Sequence, residues 1–137
     1  MPVYHCFCVS GNLFAALAVG ACVCLPRDRH TANVIDTVQK ARCTVLNSVP
    51  TMFRAMLAKE DFSPARVASL RIGIIAGAGC SPEEFERIQH SFDRGFTLMS
   101  SLGQTECTAG LTVCNIGDPL AVRSHTVGHF MSHVEGK

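Results

Sequence analysis

The stretch LRIGIIAGAGCSPEEFERIQH, residues 70 to 90, constrains the fold more than any other part of the chain. Apolar and β-branched residues run into a glycine pair, Gly77 and Gly79. Ser81-Pro82-Glu83-Glu84 then carries the marks of a helix start: a capping hydroxyl, a proline in the first turn and carboxylates at the positive end of the helix dipole. A buried strand that passes through a glycine loop straight into a helix is half of a strand–helix–strand crossover. That unit pairs its strands in parallel. The second strand is at hand, because the helix is expected to run to about His90, and Gly95 introduces the apolar run FTLMS, 96 to 100.

The same alternation extends along the chain. Leu13, Phe14, Leu17 and Ala18 recur at helical spacing between Ser10 and Val19, and Gly20 is placed to end that helix. ACVCL, 21 to 25, reads as a short buried strand stopped by Pro26. Thr31 caps a second expected helix with Val34, Ile35, Val38 and Ala41 inward, and the strand TVLN, 44 to 47, follows. Pro50 opens a third helix that turns Met52, Phe53, Met56 and Leu57 inward, a polar connection spans 59 to 69, and LTVCN, 111 to 115, is a further strand. Residues 116 to 137 are polar and rich in turn formers. The fold class expected is α/β, a mainly parallel sheet flanked by helices on both faces, with no repeat or linker dividing 1–137.

Composition narrows the partners. Twelve basic and eleven acidic residues give a net charge of +1 with no Lys/Arg run, which argues against a nucleic-acid footprint. The eight cysteines mostly sit in apolar runs, so they read as small buried thiols in a reducing, cytoplasmic setting rather than as a disulfide framework. The pairs Cys6/Cys8 and Cys22/Cys24 have a one-residue spacing that suits a structural zinc site poorly. LFAALAVGACVCL, 13 to 25, lacks a preceding basic residue and is shorter than the ~20 residues of a membrane span, so a buried helix and strand are expected there rather than a signal peptide.

In an open parallel sheet, ligands lie beyond the carboxyl ends of the strands, where loops meet helix N-termini. Two loops qualify, AGAGCSPE at 76 to 83 and SLGQTE at 101 to 106. Glu106 stands in the second between hydroxyl residues and glycines with no basic neighbour in sequence. A carboxylate beside phosphates repels them unless a hard cation lies between, and Mg²⁺ is usually held by one or two carboxylates together with phosphate oxygens and water. The missing basic partner thus points to a metal. Thr105 offers a hydroxyl to phosphate, Gly103 lets the loop turn back, and Gly77, Ala78 and Gly79 let a flat ligand approach the backbone.

LGQTECTAG, 102 to 110, resembles the [Tyr/Leu]-Gly-x-Thr-Glu signature of the adenylate-forming enzymes, the acyl-CoA synthetases and their kin. Four more segments are similar to that family in the same order: PVYHCFCVSG at 2 to 11, VLNSVPTMFRAML at 45 to 57, SLRIGIIAGAGCSPE at 69 to 83 and RSHTVGHF at 123 to 130. The resemblance implies an enzyme that uses ATP and Mg²⁺ to join a carboxylic acid to AMP and then passes the acyl group to a thiol such as coenzyme A. It implies that Thr105 touches phosphate, that Glu106 holds Mg²⁺ and that Gly77, Ala78 and Gly79 line the adenine. His5 is implied to stand near the acyl carboxylate, with Gly103, Gln104 and the helix after His5 in the acyl tunnel. Leu102 occupies a place where an aromatic usually stacks on adenine and offers only an apolar contact; Cys8 stands where glycine is common.

The resemblance also implies parts that 1–137 does not contain: a phosphate loop with its lysine upstream, a ribose-binding aspartate and a small domain with a catalytic lysine downstream. The expectation is a single partial domain, the central part of an AMP-binding domain, inactive by itself and prone to self-association through uncovered apolar faces. A noncatalytic binding module that keeps the fold is the alternative. His125, His129 and His133 recur every fourth residue, but Thr126-Val127-Gly128 opposes a helix and favours an extended turn over a metal triad. Arg123 is expected to be a solvated charge, and Met52, Met56 and Met99 to be core.

Overall fold

A computed structural model of the chain describes residues 2–136. Its sheet has four strands in the order β1 (Ile72–Ile75), β2 (Thr97–Leu102), β3 (Thr112–Val113) and β4 (His129–Phe130). β1 and β2 are parallel, in the register Ile72↔Thr97 to Ile75↔Ser100, and the crossover between them is the helix announced by Ser81. That helix, α5, spans Pro82–Ser91, and the Ser81 hydroxyl accepts the Glu84 N–H at 3.3 Å. β3 then pairs antiparallel with β2, and β4 antiparallel with β3, so the α/β sheet is parallel at its heart and turns antiparallel at one edge.

The expected strand at 44 to 47 is present as two parallel bridges, Val45↔Ile72 and Ser48↔Ile75. Between them Leu46 N–H and Ser48 N–H donate to the Ile72 and Ile74 carbonyls at 3.0 and 2.8 Å, and a side chain completes the ladder: Asn47 Oδ1 accepts the Ile74 N–H at 3.1 Å. The Asn47 amide group donates in turn to the Gly11 carbonyl at 3.2 Å and to Asn12 Oδ1 at 3.1 Å. One asparagine therefore ties the sheet to the first helical segment.

Three helices and the sheet enclose one core. α3 (Thr31–Ala41) contributes Ile35 and Val38, α4 (Pro50–Leu57) Phe53 and Met56, and α5 Phe85 and Ile88; these meet Ile75 and Leu98 of the sheet and Val67, Leu70, Phe92 and Phe96 of the connections. Phe96 stacks on Phe92 with centroids 4.6 Å apart. Gly73 makes room for it, since a Cβ there would come within 2.6 Å of the Phe96 ring. Proline at N1 starts α4. α3 begins with His30, not Thr31, at the cap position, and the Thr31 hydroxyl points to Met52 Sδ instead. On the opposite face of β1, Ile72 and Ile74 are only half-buried, and Val45 beside them is exposed.

Four expectations need correction. Residues 21 to 25 form no strand, and Ala21, Cys22, Val23 and Leu25 are exposed. A strand needs a neighbour for its N–H and C=O groups, and no described residue supplies one; the segment faces 43 to 48 across a cleft of about 660 Å³. The first helix starts earlier than expected, as α1 (Cys6–Cys8), a π-helical stretch Val9–Phe14 and α2 (Ala15–Ala18). Phe14 and Leu17, expected inward, are 59% and 65% exposed. The cysteines are not generally buried either: Cys22 and Cys107 are exposed, and Cys114 alone of the eight is classed as buried.

Arg123 is the fourth correction. β3 pairs only with Ser101 and Leu102, which leaves the lower half of β2 without a strand on that side. Side chains fill the gap: Gln89 of α5 donates to the Phe96 carbonyl at 2.7 Å and accepts the Leu98 N–H at 2.8 Å. Arg123, in α6 (Leu120–His125), donates to Gln89 Oε1 at 2.9 Å, to the Leu98 carbonyl and to the Asp118 carbonyl at 3.0 Å. It is a staple between β2, α5 and α6 rather than a solvated charge. Arg123→Ala is expected to lower the unfolding free energy by about 1–3 kcal/mol, because it strands partly buried acceptors; urea unfolding checks this, and an unchanged midpoint contradicts the staple.

α4 and α5 are joined by Arg54 and Glu84, in a two-pronged pair whose Nη2–Oε2 arm is 2.8 Å. The Arg54 bond holds the Glu84 carboxyl below its usual range, against the opposing effect of burial. A depressed folded-state pKa stabilises the fold above the unfolded value, roughly 4.3, and that stability is lost as pH falls through the lower folded value. The acid limb of a stability–pH curve is therefore expected to be shallower in Glu84→Gln than in the wild type below about pH 4. Parallel curves contradict this.

Candidate functional site

The parallel register of β1 and β2 sends the chain out of both strands at the same edge. The segment after Ser48 leaves there too, since Ser48 bridges Ile75. Three connections therefore converge: 48 to 50 into α4, 76 to 81 into α5, and the β2–β3 turn at 103 to 111.

In the glycine loop, Gly77, Ala78 and Gly79 are exposed. Gly77 has φ +82, a left-handed conformation that favours glycine, and a Cβ on it would press on Val49 at 3.3 Å. A Cβ on Gly79 would meet nothing within 4 Å, so the backbone is open to a flat ligand. Burial, and secondarily Glu84, pushes the neighbouring Cys80 thiol up to about 11, which leaves it protonated and inert at neutral pH.

The second loop is held by its own backbone. A short 3-10 turn, Thr105–Cys107, is closed by Ala109 N–H donating to the Gln104 carbonyl at 3.0 Å and Leu111 N–H to the Leu102 carbonyl at 3.0 Å. Thr108 and Ala109 take left-handed φ values of 57 and 81 to bring the chain back. Gly103 is needed for a stricter reason than flexibility: a Cβ there would sit 1.5 Å from the Ala109 carbonyl oxygen. Leu102, Gln104, Thr105 and Glu106 are all exposed at this rim. Among the described residues, none forms an ion pair or hydrogen bond with the Glu106 carboxylate.

The N-terminal segment closes on this loop. His5 caps α1, its Nδ1 accepting the Phe7 N–H at 3.2 Å, and Cys6 Sγ lies 3.4 Å from Thr105 Oγ1. That acceptor role at Nδ1 places the proton of the neutral ring on Nε2, a donor free for another group. The structure thus brings Cys6, the residue after the His5 cap, to Thr105, with Glu106 next in the chain, and sets Gly77–Gly79 on the same edge of the sheet. Cys6 and Asn47 were not picked out by the sequence. Their signal was a polar or thiol side chain at the end of a motif or strand, too common to interpret before the contact was visible.

The C-terminal histidines go elsewhere. His125 ends α6 with its Nδ1 near the Ala121 carbonyl at 3.1 Å, so the segment is helical up to that point and not extended throughout. His129 Nε2 lies 3.2 Å from Asp118, and no group of three His, Cys, Asp or Glu ligands gathers among the described residues. No described helix is long and apolar enough to cross a membrane.

A parallel-centred α/β sheet with glycine and threonine–glutamate loops at one carboxyl edge defines a nucleotide-binding type of domain. A family model described as AMP-binding enzyme matches residues 1–137, and the chain belongs to that family. It is 37% identical to a putative acyl-CoA synthetase, YngI, of Bacillus subtilis (strain 168) over 139 aligned positions, covering 100% of this chain and 25% of that protein. It is 34% identical to the acyl-CoA ligase SID4 of Ajellomyces capsulatus, covering 99% of this chain and 23% of that one. Its structure is similar to the anthranilate CoA ligase AuaEII, solved with anthranoyl-AMP: the TM-score is 0.83 at 26% identity over 95% of this chain and 24% of that one. The chain spans about a quarter of the length of the curated relatives it matches.

Gly103→Ala is expected to force the β2–β3 turn open and lower the unfolding free energy by about 1–3 kcal/mol. A variant that unfolds at the wild-type urea concentration contradicts the tight closure.

Proposed function

We propose that this chain is the central part of the large domain of an ATP-dependent acid–thiol ligase. In that reaction a carboxylate attacks the α-phosphorus of ATP, releasing pyrophosphate and leaving an acyl-adenylate; a thiol, coenzyme A in the simplest case, then takes the acyl group and releases AMP. The observation that carries this reading is the contact of Cys6, the residue after the His5 cap, with Thr105 on the edge where the glycine loop also leaves the sheet.

Each residue has a part in it. Thr105 donates its hydroxyl to phosphate, while Gly77, Ala78 and Gly79 receive the adenine along open backbone, with Leu102 as its apolar neighbour. His5 directs its Nε2–H toward the acid, and Gly103 and Gln104 border the acyl group. Glu106 fits Mg²⁺, since an exposed carboxylate with no protein partner offers hard oxygen ligands, and the bound ion would neutralise charge on the phosphates.

The relatives' greater length supports further proposals: the phosphate loop, the ribose-binding aspartate and the small domain lie in the longer protein, and residues 1–137 are inactive alone. Exposed Phe14, Leu17, Val19 and Leu25 favour self-association of the separate chain. The eight free thiols suit a reducing, cytoplasmic setting. A noncatalytic module is favoured only by Leu102, which is 44% exposed and has no ring to stack on adenine.

Exchange of pyrophosphate into ATP by the longer protein separates these readings. Glu106→Gln is expected to cut exchange about a hundredfold, in line with the loss of one electrostatic stabiliser. Undiminished exchange removes Glu106 from the mechanism, and a wild-type protein inert toward every acid favours the module.

A further inference from the structure

Cys6 is the one side chain that touches Thr105 through its hydroxyl among the described residues, across 99 positions of sequence. Its Sγ is 3.4 Å from Thr105 Oγ1 and 3.7 Å from His5 Nδ1. The two possible acceptors are not equal. His5 Nδ1 already accepts the Phe7 N–H at 3.2 Å, so its lone pair is occupied, whereas Thr105 Oγ1 is nearer to the sulfur and has no other hydrogen bond among the described residues. By geometry either atom of the Cys6–Thr105 pair could donate; with His5 Nδ1 occupied, Thr105 Oγ1 is the acceptor open to the thiol proton.

The direction of that bond matters. A hydroxyl has one proton and two lone pairs, so Thr105 that accepts from Cys6 keeps its own proton for a different partner. With the lone pair facing Cys6 taken, the O–H is available to a group on the exposed rim, where Glu106 is next in the chain. Without the thiol, the exposed hydroxyl is free to rotate and to spend its proton on water or nearby backbone.

We infer that Cys6 is a positioning residue: its thiol orients the Thr105 hydroxyl so that the Thr105 proton is presented to a phosphate group of the bound nucleotide. This deepens the ligase reading and rests on it. The residue does not touch the reacting atoms and acts only through Thr105.

Two arms test it. In the longer protein, Cys6→Ala is expected to lower kcat/KM for ATP about five- to tenfold, the worth of roughly one neutral hydrogen bond, with the KM for the acid unchanged. Cys6→Ser, which keeps a donor, recovers most of the loss, and Cys6→Ala made in a Thr105→Ala background costs nothing further. An equal loss in both backgrounds, or a serine variant no better than alanine, overturns the inference. In the 137-residue chain, the iodoacetamide alkylation rate of Cys6 is compared with that of exposed Cys22 by mass spectrometry. Thr105→Val removes the acceptor of the thiol proton and is expected to speed Cys6 alkylation; a slower rate means that Thr105 donates to sulfur, and an unchanged rate means no contact, either of which overturns it. A longer protein with no ATP–pyrophosphate exchange before any substitution counts against the ligase reading itself, and the alkylation arm then decides the thiol contact alone.

Discussion

The parallel pairing of β1 with β2 is the constraint on which the rest of the molecule depends. Because Ile72 to Ile75 run alongside Thr97 to Ser100 in the same direction, the glycine loop and the threonine–glutamate loop must leave the sheet at one edge. Antiparallel pairing would put them on opposite rims. The crossover helix α5 enforces the arrangement, and its packing of Phe85 and Ile88 into the core holds the strands in register.

Several of the chain's unusual conformations fall at that edge. Gly77 turns with positive φ, Gly103 lies against a carbonyl oxygen, and Thr108 and Ala109 take left-handed angles without being glycine. Sparsely populated backbone angles cost free energy and persist where surrounding structure fixes them. Here the core below the edge is close-packed aromatic and aliphatic side chains; Asn47 completes the ladder at Ile74, and Gln89 stands in for a missing strand at Phe96 and Leu98. A firm floor beneath a strained, exposed rim is the arrangement that presents fixed donors to a ligand.

The sequence was most legible where structure is local. The helix at Ser81 follows from its cap, proline and carboxylates, and the strands on either side follow from apolar runs bounded by glycine. Legibility failed where the outcome depends on partners far away. ACVCL has the composition of a buried strand, yet a strand exists only by pairing, and 21 to 25 find no described neighbour. Arg123 looked solvated because its role arises from a gap beside β2 that only the short reach of β3 creates. At the site, Glu106, Thr105 and the glycines could be picked out by residue type and position, whereas the approach of Cys6 to Thr105 joins segments whose meeting no spacing rule reveals.

The account's central claim is that one edge of this sheet holds a nucleotide between the glycine loop and Glu106. A crystal structure of the longer protein soaked with ATP and Mg²⁺ tests it most directly. The account predicts adenine along Gly77 to Gly79 and the metal either bound to a Glu106 oxygen at about 2.1 Å or joined to it through one bound water. A nucleotide seated on another edge, with Glu106 facing solvent, would contradict it.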